Sequence, residues 1–294
     1  MPSIGSRVAE TLVRLLLKPP STPEAGEKAV HAAALRPAAF GPPKRIRRDV
    51  SVDYATLHNW PVYTVTPTAR ASDKTLVYIH GGAFYGEITA FHWRLIARIA
   101  ADTGTRVTVP IYPLVPRGTA DNVIDTIAAI TTSEVERSGA GVVSLAGDSA
   151  GGAIALAVAL QLNKAGVSLR QTVLIHPVVD LSLSNPEIAV VERRDPILRA
   201  AALRPILERW SGDLDIQNPR VSPLYDDLGG LGPLTIFSGT HDITNPDTRL
   251  LVDHARAAGV QIVYHEGEGL IHASVALPTR EGREARRLIL EALR

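Results

Sequence analysis

The chain is 294 residues long, 45% hydrophobic and 21% charged, a balance that supports one large folded core. Its formal net charge of +1 gives no electrostatic reason to expect nucleic acid or an acidic partner. With no cysteine there is no disulfide framework, no thiolate nucleophile and no cysteine-based metal site. The opening, Met1 to Lys18, lacks the apolar core and cleavage site of a secretory leader. No run approaches the roughly 18 apolar residues of a membrane span. A soluble, cytoplasmic protein is expected.

Ser6 to Lys18 places Val8, Leu12, Leu15 and Leu16 at helical spacing and ends at Pro19-Pro20. This amphipathic helix is expected to cover part of its own protein, a membrane surface being the lesser alternative. A short helix is expected around Glu24–Leu35, then a hairpin of exposed strands over Arg47–Tyr54 and Trp60–Thr66. From there strands and helices alternate. Strands are expected at Thr75–His80 and Arg106–Tyr112, helices at Ala90–Ala101 and at Asp121–Glu136, the latter capped by Asp121. A strand from Val142 leads into a helix ending near Ala165, followed by strand Thr172–His176. Asn185–Gly212 breaks the pattern with helical sequence punctuated by Pro196 and Pro205. Strand Leu234–Ser238, helix Asp247–Ala258, strand Gln261–His265 and helix Thr279–Leu293 close the chain. Such alternation implies an α/β fold: a mostly parallel eight-stranded sheet with helices on both faces. The whole of 1–294 reads as one domain, with residues 1–44 and 185–212 forming a helical cap over the sheet's C-terminal edge.

The chemistry centres on Gly147-Asp148-Ser149-Ala150-Gly151, between the buried strand and the Ala/Leu-rich helix. Strand, tight turn and helix make this the nucleophile elbow of α/β-hydrolases, with Ser149 strained and its hydroxyl lifted clear. A serine needs a base, and the base needs an orienting acid, in the chain order Ser, Asp or Glu, His. Histidines before Ser149 fall in the wrong order. His176 at a strand end reads as a structural residue, His254 lies in a helix, and His265 closes a strand. His272 follows the last strand in a loop carrying Gly267 and Gly269, and is the candidate base. Asp242 ends the strand Leu234–Ser238 in a turn and is the candidate acid; Asp247 and Asp253 compete, but Asp247 reads as a helix cap. His241 beside Asp242 could suggest a metal pair, but a third ligand at suitable spacing is missing, so no metal is expected. His80-Gly81-Gly82-Ala83-Phe84 directly follows a buried strand, where bent amides can stabilise an oxyanion. The N–H groups of Gly81, Gly82 and Ala150 are the expected donors. Phe84, Asp148 and Trp210 are candidate substrate contacts, with Trp93 and Leu207 as further pocket candidates.

Together these motifs resemble the hormone-sensitive-lipase-like bacterial carboxylesterases, over roughly residue 45 to the end. Gly147-Asp148-Ser149-Ala150-Gly151-Gly152 is identical to that family's elbow and implies Ser149 as nucleophile. Gly239-Thr240-His241-Asp242 and Gly269-Leu270-Ile271-His272 are similar to its acid and base segments, implying Asp242 and His272. Ile111-Tyr112-Pro113-Leu114-Val115-Pro116 resembles another of its stretches. The resemblance implies hydrolysis of short- to medium-chain acyl esters, no cofactor, and frequent homodimers. Three departures stand out. Ala83 replaces a third glycine, which gives Gly81 and Gly82 priority as oxyanion donors; Arg117 replaces a Glu; and Ala273-Ser274 replaces Gly-Phe after the histidine. The same triad would serve a small-molecule amidase or lactone hydrolase, and a catalytically silent binding protein is the third reading. A homodimer could form by pairing the last strand, Gln261–His265, across two copies.

Overall fold

Two short helices open the chain, α1 (Ile4–Leu16) and α2 (Pro23–Leu35), capped by the hydroxyls of Ser3 and Thr22, which accept from the amides of Ser6 and Ala25. The computed structural model describes residues 2–44, 46–69 and 71–294. A hairpin follows, β1 (Val50–Leu57) and β2 (Trp60–Pro67). Its turn takes left-handed φ values of 49° and 62° at His58 and Asn59. The alternating part runs β3 (Thr75–Ile79), α3 (Ala90–Thr103), β4 (Arg106–Pro110), α4 (Ala120–Ser138), β5 (Val143–Asp148), α5 (Ala150–Lys164) and β6 (Gln171–Ile175). A single turn, α6 (Ile188–Val191), and α7 (Ala200–Ser211) interrupt it. It then resumes with β7 (Leu234–His241), α8 (Asn245–Ala257), β8 (Ile262–Ile271) and α9 (Arg280–Leu293).

The strands form one eight-stranded sheet in the order β1-β2-β4-β3-β5-β6-β7-β8. Pairing is parallel from β4 through β8, and β2 is antiparallel to both of its neighbours, β1 and β4. This is the mainly parallel sheet the alternation implies. Every residue of β3 is buried, as a strand covered on both faces must be. Ile124, Ile127, Leu156 and Leu160 of α4 and α5 fill one face, and Trp93, Ile96, Ile99 and Ile289 of α3 and α9 fill the other.

Several local expectations are corrected. Helix α4 is capped by Thr119 in a capping box with Asn122, which leaves Asp121 in the first turn. Helix α8 begins at Asn245 behind Thr244, so Asp247 sits inside its first turn and accepts from Asn185 Nδ2 at 2.8 Å. Strand β8 continues through the glycines to Ile271, where a loop was expected, and its register against β7 shifts between Gly239 and His241. A Cβ on Gly239 would lie 2.2 Å from the Leu270 carbonyl oxygen, so only a glycine admits that approach. Finally, α1 does not cover the body with its apolar stripe: Ser6, on the opposite side, is its buried residue. Helix α2 and α7 meet backbone to backbone at Gly26, whose Cβ would fall 2.1 Å from the Ala202 carbonyl oxygen.

Candidate active site

The turn from β5 into α5 places Ser149 at φ 52° and ψ −119°. A non-glycine residue there stores on the order of 1–3 kcal/mol of strain, sustained by its surroundings. Ser149 N–H donates to the Ile175 carbonyl at 2.8 Å, fixing the elbow to β6. A Cβ on Gly147 would meet the Gly151 carbonyl oxygen at 2.1 Å, and one on Gly151 would meet that of Ile79 at 2.2 Å. The elbow therefore closes only with bare backbone at both flanking positions.

The C-terminal ends of β7 and β8 deliver Asp242 and His272 beside it. Ser149 Oγ lies 2.9 Å from His272 Nε2, and His272 Nδ1–H donates to Asp242 Oδ2 at 2.9 Å. Asp242 Oδ1 accepts from the Thr244 amide at 2.9 Å. Burial alone would raise the Asp242 carboxyl, but the charge of His272 and hydrogen bonds from His176 and His272 hold it well below the usual carboxylate range. Burial likewise disfavours the His272 imidazolium, yet Asp242, with Asp195 and Asp148 further out, raises its pKa above the ordinary value of 6.5.

Sequence reasoning missed the functional place of His176. Its Nδ1–H also donates to Asp242 Oδ2, at 2.7 Å, and its Nε2 accepts from Ser274 Oγ at 3.1 Å. It is a satisfied buried residue, as read, but the candidate acid is what satisfies it. No spacing signals this; it follows from β6 lying next to β7 in the sheet. His176, Asp242 and His272 bring ligand-capable atoms within 4.8 Å of one another. Both Nδ1 protons point at the carboxylate and both Nε2 atoms serve serine hydroxyls, so hydrogen bonding accounts for all four ring nitrogens.

The loop after β3 corrects a second expectation. Gly81 N–H does not face the serine; it donates to Asp148 Oδ1 at 3.0 Å. Asp148 also accepts from Tyr78 Oη at 2.8 Å and from His92 Nε2 at 3.0 Å. His92 Nδ1 accepts the Thr89 amide at 2.9 Å, which fixes the proton on Nε2. Asp148, a candidate substrate contact, lies among the residues around the space over Ser149, and its carboxylate also holds the loop; against burial, His92 and then Tyr78 and the Gly81 amide lower its pKa to about 2. Among the described residues, the amides of Gly82, Ala83 and Ala150 donate to no carbonyl or side chain. Ala83 reaches this geometry with a φ of 49°. Below it, His80 Nδ1–H donates to the Gly81 carbonyl at 2.7 Å and its ring stacks on Tyr112 at 4.5 Å. Burial lowers the pKa of His80 to about 4, so it stays neutral.

Residues 76–276 match a family described as an α/β hydrolase fold. The chain belongs to the α/β-hydrolase family. It is 31% identical over 222 residues to an acetyl-hydrolase of Streptomyces hygroscopicus, covering 75% of this chain and 74% of that one. It is 35% identical over 194 residues to a triacylglycerol lipase of Mycobacterium tuberculosis, covering 65% of this chain but only 40% of the lipase's length. A putative esterase from Staphylococcus aureus superposes with a TM-score of 0.87 at 25% identity, covering 95% and 97% of the two chains.

In this α/β-hydrolase a cavity of about 550 Å³ opens above Ser149. Leu17 to Pro20 wall it on one side, and Leu198, Leu203 and Ile206 on another. Two candidate contacts are displaced from it. Phe84 and Trp210 stack on each other at 4.3 Å and are fully buried in the core outside the cavity lining, as is Leu207, while Trp93 is buried in the core on the other face of the sheet.

Proposed function

We propose that this chain is a serine carboxylesterase that cleaves short- to medium-chain acyl esters through an acyl-enzyme on Ser149. The observation that carries the reading is the unbroken line of hydrogen bonds from Ser149 Oγ through His272 to buried Asp242. His272 Nε2 accepts the hydroxyl proton as Oγ attacks the ester carbonyl. The tetrahedral oxyanion is met by the amides of Gly82, Ala83 and Ala150. His272 returns the proton to the departing alcohol, and water, activated by the same imidazole, releases the acid and restores Ser149. Asp242 keeps His272 in the tautomer with its proton on Nδ1. The apolar walls contributed by residues 17–20 and 197–206 support an acyl site, with residues 1–44 and 185–212 acting as a cap. Edge strand β8, last in the sheet order, offers the surface for homodimer pairing.

The test is labelling of the intact protein with a fluorophosphonate, alongside hydrolysis of p-nitrophenyl acetate through decanoate. One equivalent of label on Ser149 is expected, with activity greatest at the shorter chains. Replacing Ser149 by Ala abolishes both. Normal turnover by that variant would remove the reading.

A further inference from the structure

Helix α1 is turned inside out. Amphipathic helices of globular proteins direct the apolar stripe inward and the polar face to water. Here the polar face is the docked one. The hydroxyls of Ser3 and Ser6 donate to the carboxylate of Glu281 on α9 at 2.8 and 2.6 Å. Glu10 faces the ring of His241 at 3.4 Å, and Arg14 donates to the Arg194 carbonyl at 2.6 Å. The apolar stripe of Ile4, Val8, Leu12, Leu15 and Leu16 is left in solvent, each residue between 51% and 77% exposed. Such a contiguous apolar surface is unfavourable in water unless something covers it.

Two observations indicate what the cover is. The stripe runs into half-exposed Leu17, then Lys18, Pro19 and Pro20, which form the lip of the cavity above Ser149. A second protein copy seated on the stripe would sit across that mouth, whereas a fluid lipid surface can cover it and still supply molecules to the cavity. The surroundings are also basic. Exposed Arg7 and Lys18 flank the stripe, and the Arg14 contact brings exposed Arg193 and Arg194 beside the last turn.

We propose that α1 docks this protein on an anionic lipid surface, with Ile4, Val8, Leu12, Leu15 and Leu16 inserted at the acyl boundary and the cavity mouth facing the lipid. Docking is independent of the esterase reading; only the passage of a lipid-borne ester into the cavity rests on it. The arrangement is that of an interfacial helix, whose apolar face sinks about 5–10 Å into the headgroup–acyl boundary.

The experiment is cosedimentation of the full chain with phosphatidylcholine vesicles, with and without phosphatidylglycerol, compared with a Leu12→Glu, Leu15→Glu, Leu16→Glu variant. The native chain is expected to pellet with the anionic vesicles and more weakly with the neutral ones. The variant's partitioning falls by about a hundredfold or more, while its turnover of a water-soluble acetyl ester is unchanged. Leu16→Glu alone, at the most exposed of these positions, gives the same direction should the triple variant fail to fold. The Ser149→Ala protein still binds, which separates loss of docking from loss of chemistry. The proposal is overturned if the native chain stays in the supernatant with both vesicles or if binding survives the triple variant. It is equally overturned if the substitutions split a dimer in sedimentation velocity, which would make the stripe a contact between copies.

Discussion

His176 and His272 place their Nδ1 protons on the same oxygen of Asp242, at 2.7 and 2.9 Å. One carboxylate oxygen therefore serves two buried imidazoles, of which only His272 reaches Ser149. The N–H of His176 draws charge from that oxygen and fixes its direction, so the carboxylate is a weaker and better-aimed partner for His272 than an isolated one. Replacing His176 by Phe removes a hydrogen bond to a charged group, about 1.5–3 kcal/mol, and lowers kcat roughly 10- to 100-fold. The freed carboxylate then stabilises the imidazolium more strongly, so the acid limb of kcat/KM moves to higher pH. His176→Asn keeps a donor near the Nδ1 position and restores much of both properties. A residue serving only to pack would lower kcat without moving the limb.

Asp148 and Gly81 carry a second prediction. The Gly81 amide is tied to Asp148, as are Tyr78 and His92. Asp148→Ala leaves three buried donors without their acceptor and frees the loop that aims the Gly82 and Ala83 amides. We expect a stability loss of about 1–3 kcal/mol per unsatisfied group. A kcat loss approaching the roughly 10²- to 10³-fold cost of one oxyanion donor should accompany it, with KM little changed. The wild-type linkage has a definite sign. With its folded pKa near 2 and its ordinary value at 3.8, Asp148 contributes stability above pH 3.8 that is lost as pH falls towards 2. The stability gap between the wild type and the variant should narrow as pH falls through that window, without closing, because a protonated carboxyl still accepts from the three donors.

Much of this was legible in the residues, and the failures share a cause. Alternating buried runs and amphipathic segments pointed to the sheet because burial on two faces leaves no other pattern. Motif, position and chain order together pointed to Ser149, Asp242 and His272, and His272 hydrogen-bonds to each of the other two. What stayed hidden depends on direction rather than identity. Which amide of Gly81, Gly82 and Ala83 faces the serine is decided by the path of one turn, and the Asp148 carboxylate claims the first of them. The Thr89–His92 spacing is a readable capping box, but its far nitrogen reaching Asp148 is not. His176 meets Asp242 only because β6 and β7 are neighbours. Phe84 and Trp210 are aromatic and near the site in sequence logic, yet they satisfy each other inside the core.

The contact of Gly26 with Ala202 isolates the role of the covering helices from that of the chemistry. Gly26→Val must push α2 away from α7, since any Cβ lands 2.1 Å from a backbone oxygen. Overpacking of this kind costs about 1–3 kcal/mol. Because α7 supplies Leu203 and Ile206 to the cavity, KM should rise more for octanoyl than for acetyl esters, while kcat on the acetyl ester is kept. An equal change for both chain lengths would mean that α7 does not shape the acyl site.

The acid limb of the reaction tests the electrostatics directly. His272 must be neutral to accept the serine proton, and its pKa is raised above 6.5 by Asp242 and then Asp195 against the effect of burial. Activity should therefore fall as pH drops through a midpoint above 6.5. Asp195 is fully buried and bonded to the Ile243 amide at 3.0 Å, one residue from Asp242, without touching His272 through any hydrogen bond among the described residues. Asp195→Asn should thus lower the midpoint while leaving most of the plateau rate. Asp242→Asn should lower the midpoint further and cost up to about 10⁴ in kcat. Stability runs in the opposite sense. The imidazolium–Asp242 pair contributes fully below 6.5, the unfolded value, and its contribution is lost as pH rises through the folded value. Over that interval kcat/KM and the His272 contribution to Tm should change in opposite directions. A wild-type midpoint at or below 6.5 would mean that burial, not the two aspartates, controls the imidazole.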